Sequence, residues 1–399
     1  MGNLYRLNSL FELEITRPIE EISQNPSLLE RNTVYEYLFL VISKEDDFTI
    51  LSEPASKELL EYWKENKIEI GDTILTDMPY YPKILLLNGN IPEDITLIEW
   101  GKTSILDTQK GFLLKNDNIL NHSIYNNSKI NQTRWKESSG FNRLTSLICT
   151  DKNELDFCIA NFRFPLVIKP EFGFSGRGIF ILRNDLDFKK YYKQILEMFS
   201  VNTNGIIIEE WVGNDKILDF SGIYDLSAKR PQLITYTKML VDKMGIYRGT
   251  IIEKKFGKEF GNGMKGIISS YQIDKFPYNG SITMDGFTFT RDGLIQIQYM
   301  SEINFRYSMG RILYELHQKI GKGLDNCGLF FFPIRNKRIS FRYTIIGLEI
   351  LKAKYKMDLL ILTPLHNAKS KLNPFVGIYS NSSEEISLEI VDEIKKLFV

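Results

Sequence analysis

Between Pro165 and Leu182 the chain reads PLVIKPEFGFSGRGIFIL, two short apolar β-type runs separated by a turn that holds Gly173, Gly176 and Gly178. No other stretch limits the fold as much. Lys169 closes the first run, and a strand rather than a helix follows the glycines. Glycines let backbone N–H groups approach a polyanion closely, and a neighbouring ammonium supplies the counter-charge. A Walker A loop has its lysine after the glycines and opens a helix, and a dinucleotide GxGxxG also opens a helix, so the order excludes both. Two readings remain: a hairpin flap over phosphates, or an ordinary Gly-rich hairpin with a solvated lysine.

Two further stretches carry chemistry. IIIEEWV, Ile206 to Val212, reads as a buried strand. Its adjacent acids, Glu209 and Glu210, put one side chain on each face, so one of them points into the interior or a cleft. A carboxylate and a backbone carbonyl here can accept hydrogen bonds from an adenine amino group, while the Val212 N–H can donate to a ring nitrogen. The plainer alternative is a strand running out into a solvated loop. MDGFTFTRDGLIQIQYMSEINFR, Met284 to Arg306, reads as a hairpin turning at Arg291-Asp292-Gly293. Strand positions i, i+2 and i+4 share a face, which groups Glu302, Asn304 and Arg306 with Gln296 and Gln298 behind them. Ile295, Ile297, Tyr299 and Ile303 then fall on the core face. Glu and Asn oxygens suit Mg2+, and an arginine fork suits a carboxylate or acyl-phosphate. The alternative is a polar face that is simply wet.

The first hundred or so residues mix extended runs (YEYLFLVIS, DDFTILS, DTILTDM) with a helical piece, ASKELLEYWKEN, as in a small α/β domain. The polar, Asn-rich stretch Lys115 to Asn131 reads as a connection. Asp151 and Glu154 are spaced as a capping box for a helix with Leu155, Cys158 and Ile159 on its apolar face. Phe188, Tyr191, Tyr192, Ile195 and Phe199 recur at helical spacing over Asp187 to Phe199. Ser308 can cap a helix that Gly321 ends, and Ile386, Ile390, Ile394 and Leu397 mark a last amphipathic helix. The fold class is α+β, rich in α/β, with several mixed sheets.

Lys+Arg 50 against Asp+Glu 50 argues against nucleic-acid binding by bulk charge. Cys149, Cys158 and Cys327 form no CxxC, which excludes a disulfide framework or zinc site and suits a reducing compartment. Glu12 and Glu14 interrupt the place of a signal peptide's apolar stretch. The longest apolar runs, near Leu38 to Ile42 and Gly328 to Ile334, are far short of the roughly 20 residues a membrane span needs. The expectation is a soluble cytoplasmic protein.

Taken together, in this order and spacing, the three stretches resemble the ATP-grasp superfamily over about Asn127 to Lys319. PLVIKPEFGFSGRGIFIL is similar to its lysine strand and flap, IIIEEWV to its adenine hinge, and SEINFR to its metal-binding strand. The resemblance implies an ATP-grasp fold, two lobes with mixed and antiparallel sheets clamping ATP. The domain would span 121–335, with a nucleotide lobe at about 121–205 and a metal lobe at about 206–335. A small α/β domain, 1–120, would precede it, and 336–399 would follow as a lid or substrate wall. By the same resemblance, Lys129 and Lys169 bracket ATP, and Gly173, Ser175, Gly176 and Gly178 form the flap. Glu209, Glu210, Trp211 and Val212 hold adenine, with Lys238 or Arg248 as a further basic residue. Glu302 and Asn304 bind Mg2+ (or Mn2+), and Asp285 is the candidate for the preceding acid, at a longer spacing than in better-known members. Arg306 and Lys169 serve catalysis. The implied activity is ATP-dependent joining of a carboxylate to an amine through an acyl-phosphate, releasing ADP and phosphate. Its partners are small-molecule or peptide carboxylates and amines, with no nucleic acid or membrane, and a homodimer is an open option. A small-molecule kinase and a non-catalytic nucleotide-binding protein are the alternatives on the same scaffold.

Overall fold

The computed structural model describes residues 2–17, 26–76, 83–85, 92, 94–107, 112–140, 143–173, 178–201, 204–227, 230–241, 247–270, 277–321, 323–334, 339–366, 373–380, 386 and 388–398. Contacts group the chain into two compact units. The first is Met1–Asn121 with Arg248–Phe256 and Arg306–Val399; the second is His122–Tyr247 with Gly257–Phe305.

In the first unit, strands Asp72–Leu75, Phe48–Leu51, Asn3–Arg6 and Thr96–Glu99 lie in that order, all parallel. Parallel neighbours need a long crossover, and helix Pro26–Ile42 supplies the one between Arg6 and Phe48. That helix overturns the extended reading of YEYLFLVIS: Tyr37, Leu38, Phe39, Leu40 and Val41 are all buried in it. A helix buried all round shows no polar stripe, so periodicity cannot separate its short apolar run from a buried strand. Helix Lys57–Glu65 is as expected, with Ser56 accepting the Leu59 N–H and Leu59, Tyr62 and Trp63 buried. The Trp63 Nε1–H donates to Ile361 O at 2.9 Å, tying this helix to the C-terminal strands. Those strands, Tyr247–Glu253, Asn326–Phe331, Phe375–Ser380 and Asp358–Ile361, run antiparallel in that order. Helix Leu388–Lys396 buries Ile390 and Ile394 as its spacing predicts, and Ile386 is buried just ahead of it.

The second unit carries the chemistry-bearing stretches, and labels below refer to it. Its first helix, α1 (Lys129–Ser139), follows helix Asp117–Asn127 and is capped by Ser128, whose Oγ accepts the Asn131 N–H at 3.2 Å. The Asn-rich stretch read as a connection is therefore mostly helical. Its buried faces make hydrogen bonds where an ordinary helix makes apolar contacts, so it shows no apolar period; Asn126, Asn127 and Gln132 are all buried. Strands β1 (Ser146–Cys149), β2 (Leu166–Pro170), β3 (Phe180–Leu182) and β4 (Ile206–Glu210) form an antiparallel sheet in the order β3-β2-β4-β1. Helices α2 (Lys152–Asn161) and α3 (Asp185–Val201) cover one face. There Leu155, Cys158, Phe188 and Ile195 share a core with Leu166, Ile168, Ile206 and Ile208. The expected capping box is shifted by one residue: Asp151 caps Asn153 and Glu154, while Glu154 accepts from Thr150 N at 2.7 Å.

Strand alternation puts Val167, Lys169, Ile207 and Glu209 on the opposite face of this sheet.

The second sheet holds β5 (Lys216–Ser227), β6 (Arg230–Val241), β7 (Gly280–Arg291) and β8 (Leu294–Asn304), antiparallel in the order β8-β7-β5-β6, with helix α4 (Gly261–Ser270) following β6 in the chain. The β7–β8 hairpin turns where expected: Asp292 and Gly293 have φ of 52° and 74°, the paired positive angles of a primed turn. The predicted alternation of β8 holds only at its end, where Ile303 is buried between Glu302 and Asn304. Ile295 is 70% exposed and Gln298 only 1%. A register shift between the Asp285–Glu302 and Phe287–Gln298 pairs interrupts the ladder, and Gln298 Oε1 is taken by the Arg143 N–H at 3.0 Å. Gly286 sits at that irregularity, where a Cβ would lie 2.7 Å from Gln298 O.

Candidate functional site

The β2–β4 register sets Lys169 opposite Ile207, which makes Glu209 its diagonal neighbour on one face. Lys169 Nζ lies 2.6 Å from Glu209 Oε1, and Lys136 Nζ from α1 lies 3.3 Å from Oε2. Glu209 is buried. Burial alone would push its carboxyl up, but the Lys169 and Lys136 ammoniums outweigh this and hold it down to about 2. It is thus a fixed anion that orients two lysines. Its neighbour Glu210 pairs instead with the Arg291 guanidinium. The Trp211 N–H donates to Pro165 O at 3.0 Å. Val212 packs on Leu144, Phe287 and Phe289. Glu210, Trp211, Val212 and Phe289 line a cleft of about 720 Å³ with Thr145, Pro165 and Arg291 among its other walls. Its mix of apolar rings and hydrogen-bonding edges suits a flat heteroaromatic ligand.

The β7–β8 register places Asp285 directly opposite Glu302, so their long separation in sequence keeps nothing apart. Asn304 Nδ2 donates to Asp285 Oδ2 at 2.9 Å and to Glu302 Oε1 at 3.2 Å, and Ser221 Oγ donates to Asp285 Oδ1 at 2.6 Å. Lys129 Nζ, from the first turn of α1, lies 3.3 Å from Glu302 Oε2. A cavity of about 20 Å³, room for roughly one water, is lined by Lys129, Lys136, Lys169, Glu209 and Glu302. Both lysines expected to bracket a nucleotide therefore share a wall with the metal-strand acid.

Other expected residues fall elsewhere. Lys238 of β6 pairs with Phe220 of β5, one position off the Thr237–Ser221–Asp285 row, and so projects from the face opposite Asp285. Arg248 and Arg306 belong to the first unit. β8 ends at Asn304, so Arg306 does not continue its i, i+2, i+4 face; its Nε lies 2.7 Å from Glu12 Oε1, beside the Trp100 ring. In the flap, Gly173 is half-buried, and Gly178 takes the left-handed φ of 73° that leads into β3. Ser175 and Gly176 lie outside the described residues.

No protein-family model matches the chain. N5-carboxyaminoimidazole synthetase from Staphylococcus aureus, solved with ADP, superposes with a TM-score of 0.53 at 10% identity, covering 98% of this chain and 96% of that one. The chain has the ATP-grasp fold. The Aspergillus clavatus N5-carboxyaminoimidazole synthase, in complex with ADP and 5-aminoimidazole ribonucleotide, shares this ATP-grasp architecture at a TM-score of 0.52 and 10% identity, over 85% and 96% of the two chains. Among curated proteins, the [Butirosin acyl-carrier protein]–L-glutamate ligase of Niallia circulans is 22% identical over 284 residues, 68% of this chain. The chain spans 64% of the length of that relative.

Within this fold, Asp285, Glu302 and Asn304 offer two carboxylates and one amide oxygen, converging closely enough for Asn304 to bridge both acids. Such a hard-oxygen set fits Mg2+, which takes one or two carboxylates and fills its shell with water and phosphate oxygens. Among the described residues no group of three or more His, Cys, Asp or Glu forms a metal cluster, so the amide is needed to complete the set. Sequence reasoning missed Lys136 and Gln132. The signal was present: Lys129, Gln132 and Lys136 recur at helical spacing, a polar stripe that begins in the segment read as a connection.

Proposed function

We propose that the chain is an ATP-dependent carboxylate–amine ligase. The observation that carries this reading is the meeting of Lys129, Lys169 and Glu209 with Glu302 around one small cavity, with Asp285 and Asn304 adjoining Glu302. Cationic and metal-ligating groups then converge on a single locus. Glu209 holds the Lys169 ammonium in place to neutralise phosphate charge, and Lys129 adds a second positive charge. The cleft beside Trp211 and Val212 receives the base. Asp285, Glu302 and Asn304 would hold Mg2+, which supplies charge neutralisation on the phosphates when bound. Phosphoryl transfer needs positioning and electrostatics more than covalent help, which agrees with the lack of a nucleophile–base pair among these residues. A carboxylate would take the γ-phosphoryl group, and an amine would then displace phosphate from the acyl-phosphate. The L-glutamate ligase relative supports an amino acid as one substrate, with the other partner a small molecule or a carrier-bound group. The three unpaired cysteines, all buried, support a cytoplasmic setting, and no described helix is long and apolar enough to cross a membrane.

Purified chain incubated with ATP, Mg2+ and pooled carboxylates and amines tests this. Phosphate and ADP should appear in equal amounts, and only when both an acid and an amine are supplied. A phosphorylated acceptor without free phosphate would replace the ligase by a kinase.

A further inference from the structure

β8 is the outer strand of its sheet, so the backbone groups on its far edge need partners that no strand supplies. Side chains supply them. Lys136 Nζ donates to Ser301 O at 3.4 Å. Gln132 Nε2 donates to Ile303 O at 2.6 Å, and Gln132 Oε1 accepts the Ile303 N–H at 2.9 Å. Asn127 Oδ1 accepts the Phe305 N–H at 3.0 Å. Residues 301, 303 and 305 are the alternate positions whose N–H and C=O groups point outward in an antiparallel edge. Three side chains from 127 to 136 thus pair with the edge as a neighbouring strand would. Gln132 is the centre of this arrangement: it is 4% exposed, also donates to Asn126 O at 2.9 Å, and engages both backbone groups of Ile303. Ile303 is the residue between Glu302 and Asn304.

We infer that Gln132 is the positioning residue of the metal strand, a side-chain amide that fixes the Ile303 peptide groups and with them the directions in which Glu302 and Asn304 project. This rests on the reading of those two residues as Mg2+ ligands. A primary amide is the side chain that presents a donor and an acceptor in the spacing of a backbone peptide, which is why it can stand in for a strand residue. Without it, the Ile303 N–H and C=O and the Asn126 C=O lose this partner, and the strand between the ligands is free to rotate out of register. The consequence falls on metal affinity before it falls on nucleotide affinity, because Lys169 and the Glu209 that orients it are built on β2 and β4.

The test compares wild type, Gln132→Met and Gln132→Glu by calorimetric ADP binding across a Mg2+ series, with melting temperature measured in parallel. Gln132→Met keeps the length of the side chain and removes both polar groups; the half-saturating Mg2+ concentration should rise about tenfold, the size expected for losing the two hydrogen bonds to Ile303. ADP affinity at saturating Mg2+ should change far less. Gln132→Glu keeps the acceptor for the Ile303 N–H and loses the donor, so it should move the Mg2+ requirement in the same direction by less, and it decides the matter if the methionine variant does not fold. A folded variant that melts earlier but keeps the wild-type Mg2+ requirement would make Gln132 merely structural and overturn the inference. Wild type that binds no Mg2+ and ADP would bring down the ligase reading and this one together.

Discussion

Glu302→Gln should lower Mg2+-dependent turnover by roughly a hundredfold or more while leaving the fold intact. The substitution keeps the shape of the side chain and removes the negative charge facing the dication, so the two-carboxylate set of Asp285 and Glu302 is reduced to one. Stability should hardly move. The Lys129–Glu302 pair is partly open to solvent, with 18% and 32% side-chain exposure, and such pairs contribute about 1 kcal/mol or less. Steady-state rates over a Mg2+ series, alongside a thermal melt, separate the two effects. Turnover within threefold of wild type at every Mg2+ concentration would remove Glu302 from the metal set.

The second large effect concerns stability. Glu209→Gln leaves the Lys169 and Lys136 ammoniums facing a neutral amide in a buried place, and breaking such a pair costs about 3–5 kcal/mol. Its pH signature is specific. Glu209 falls from an ordinary 4.5 to about 2 on folding, so its contribution is complete above pH 4.5 and fades as the pH drops toward 2. Wild type should lose about 3 kcal/mol of stability across that window from this group alone. In Glu209→Gln that part of the acid dependence should be gone, as read by urea midpoints at several pH values. An unchanged acid limb in the variant would show that Glu209 is not the buried counter-ion. Lys169 should also lose its fixed orientation, so nucleotide affinity should fall with stability.

What the sequence made legible follows from the range of each signal. Lys169, Gly178, the IIIEEWV strand and the turn at Asp292-Gly293 are local patterns, and the structure places them on strands and turns as read. Asp285 could be named from sequence but not placed, because only the β7–β8 register sets it opposite Glu302. The polarity of Lys115 to Asn131 misled, since Asn126 and Asn127 are buried, Asn127 through hydrogen bonds to Ser123 O and the Phe305 N–H, and carry no apolar period. YEYLFLVIS misled for the converse reason: its helix is buried on every side, and a short, largely apolar run of it looks like a strand. The association of 306–399 with 1–121 depends on contacts such as Trp63 with Ile361, which no local pattern encodes.

Isothermal titration of ADP, and of ATP, into the intact chain with and without Mg2+ addresses the main claim most directly. Saturable binding of one nucleotide per chain that tightens when Mg2+ is present, and weakens in Lys169→Ala, is the predicted result. Folded protein that takes up neither nucleotide with Mg2+ in excess would contradict it.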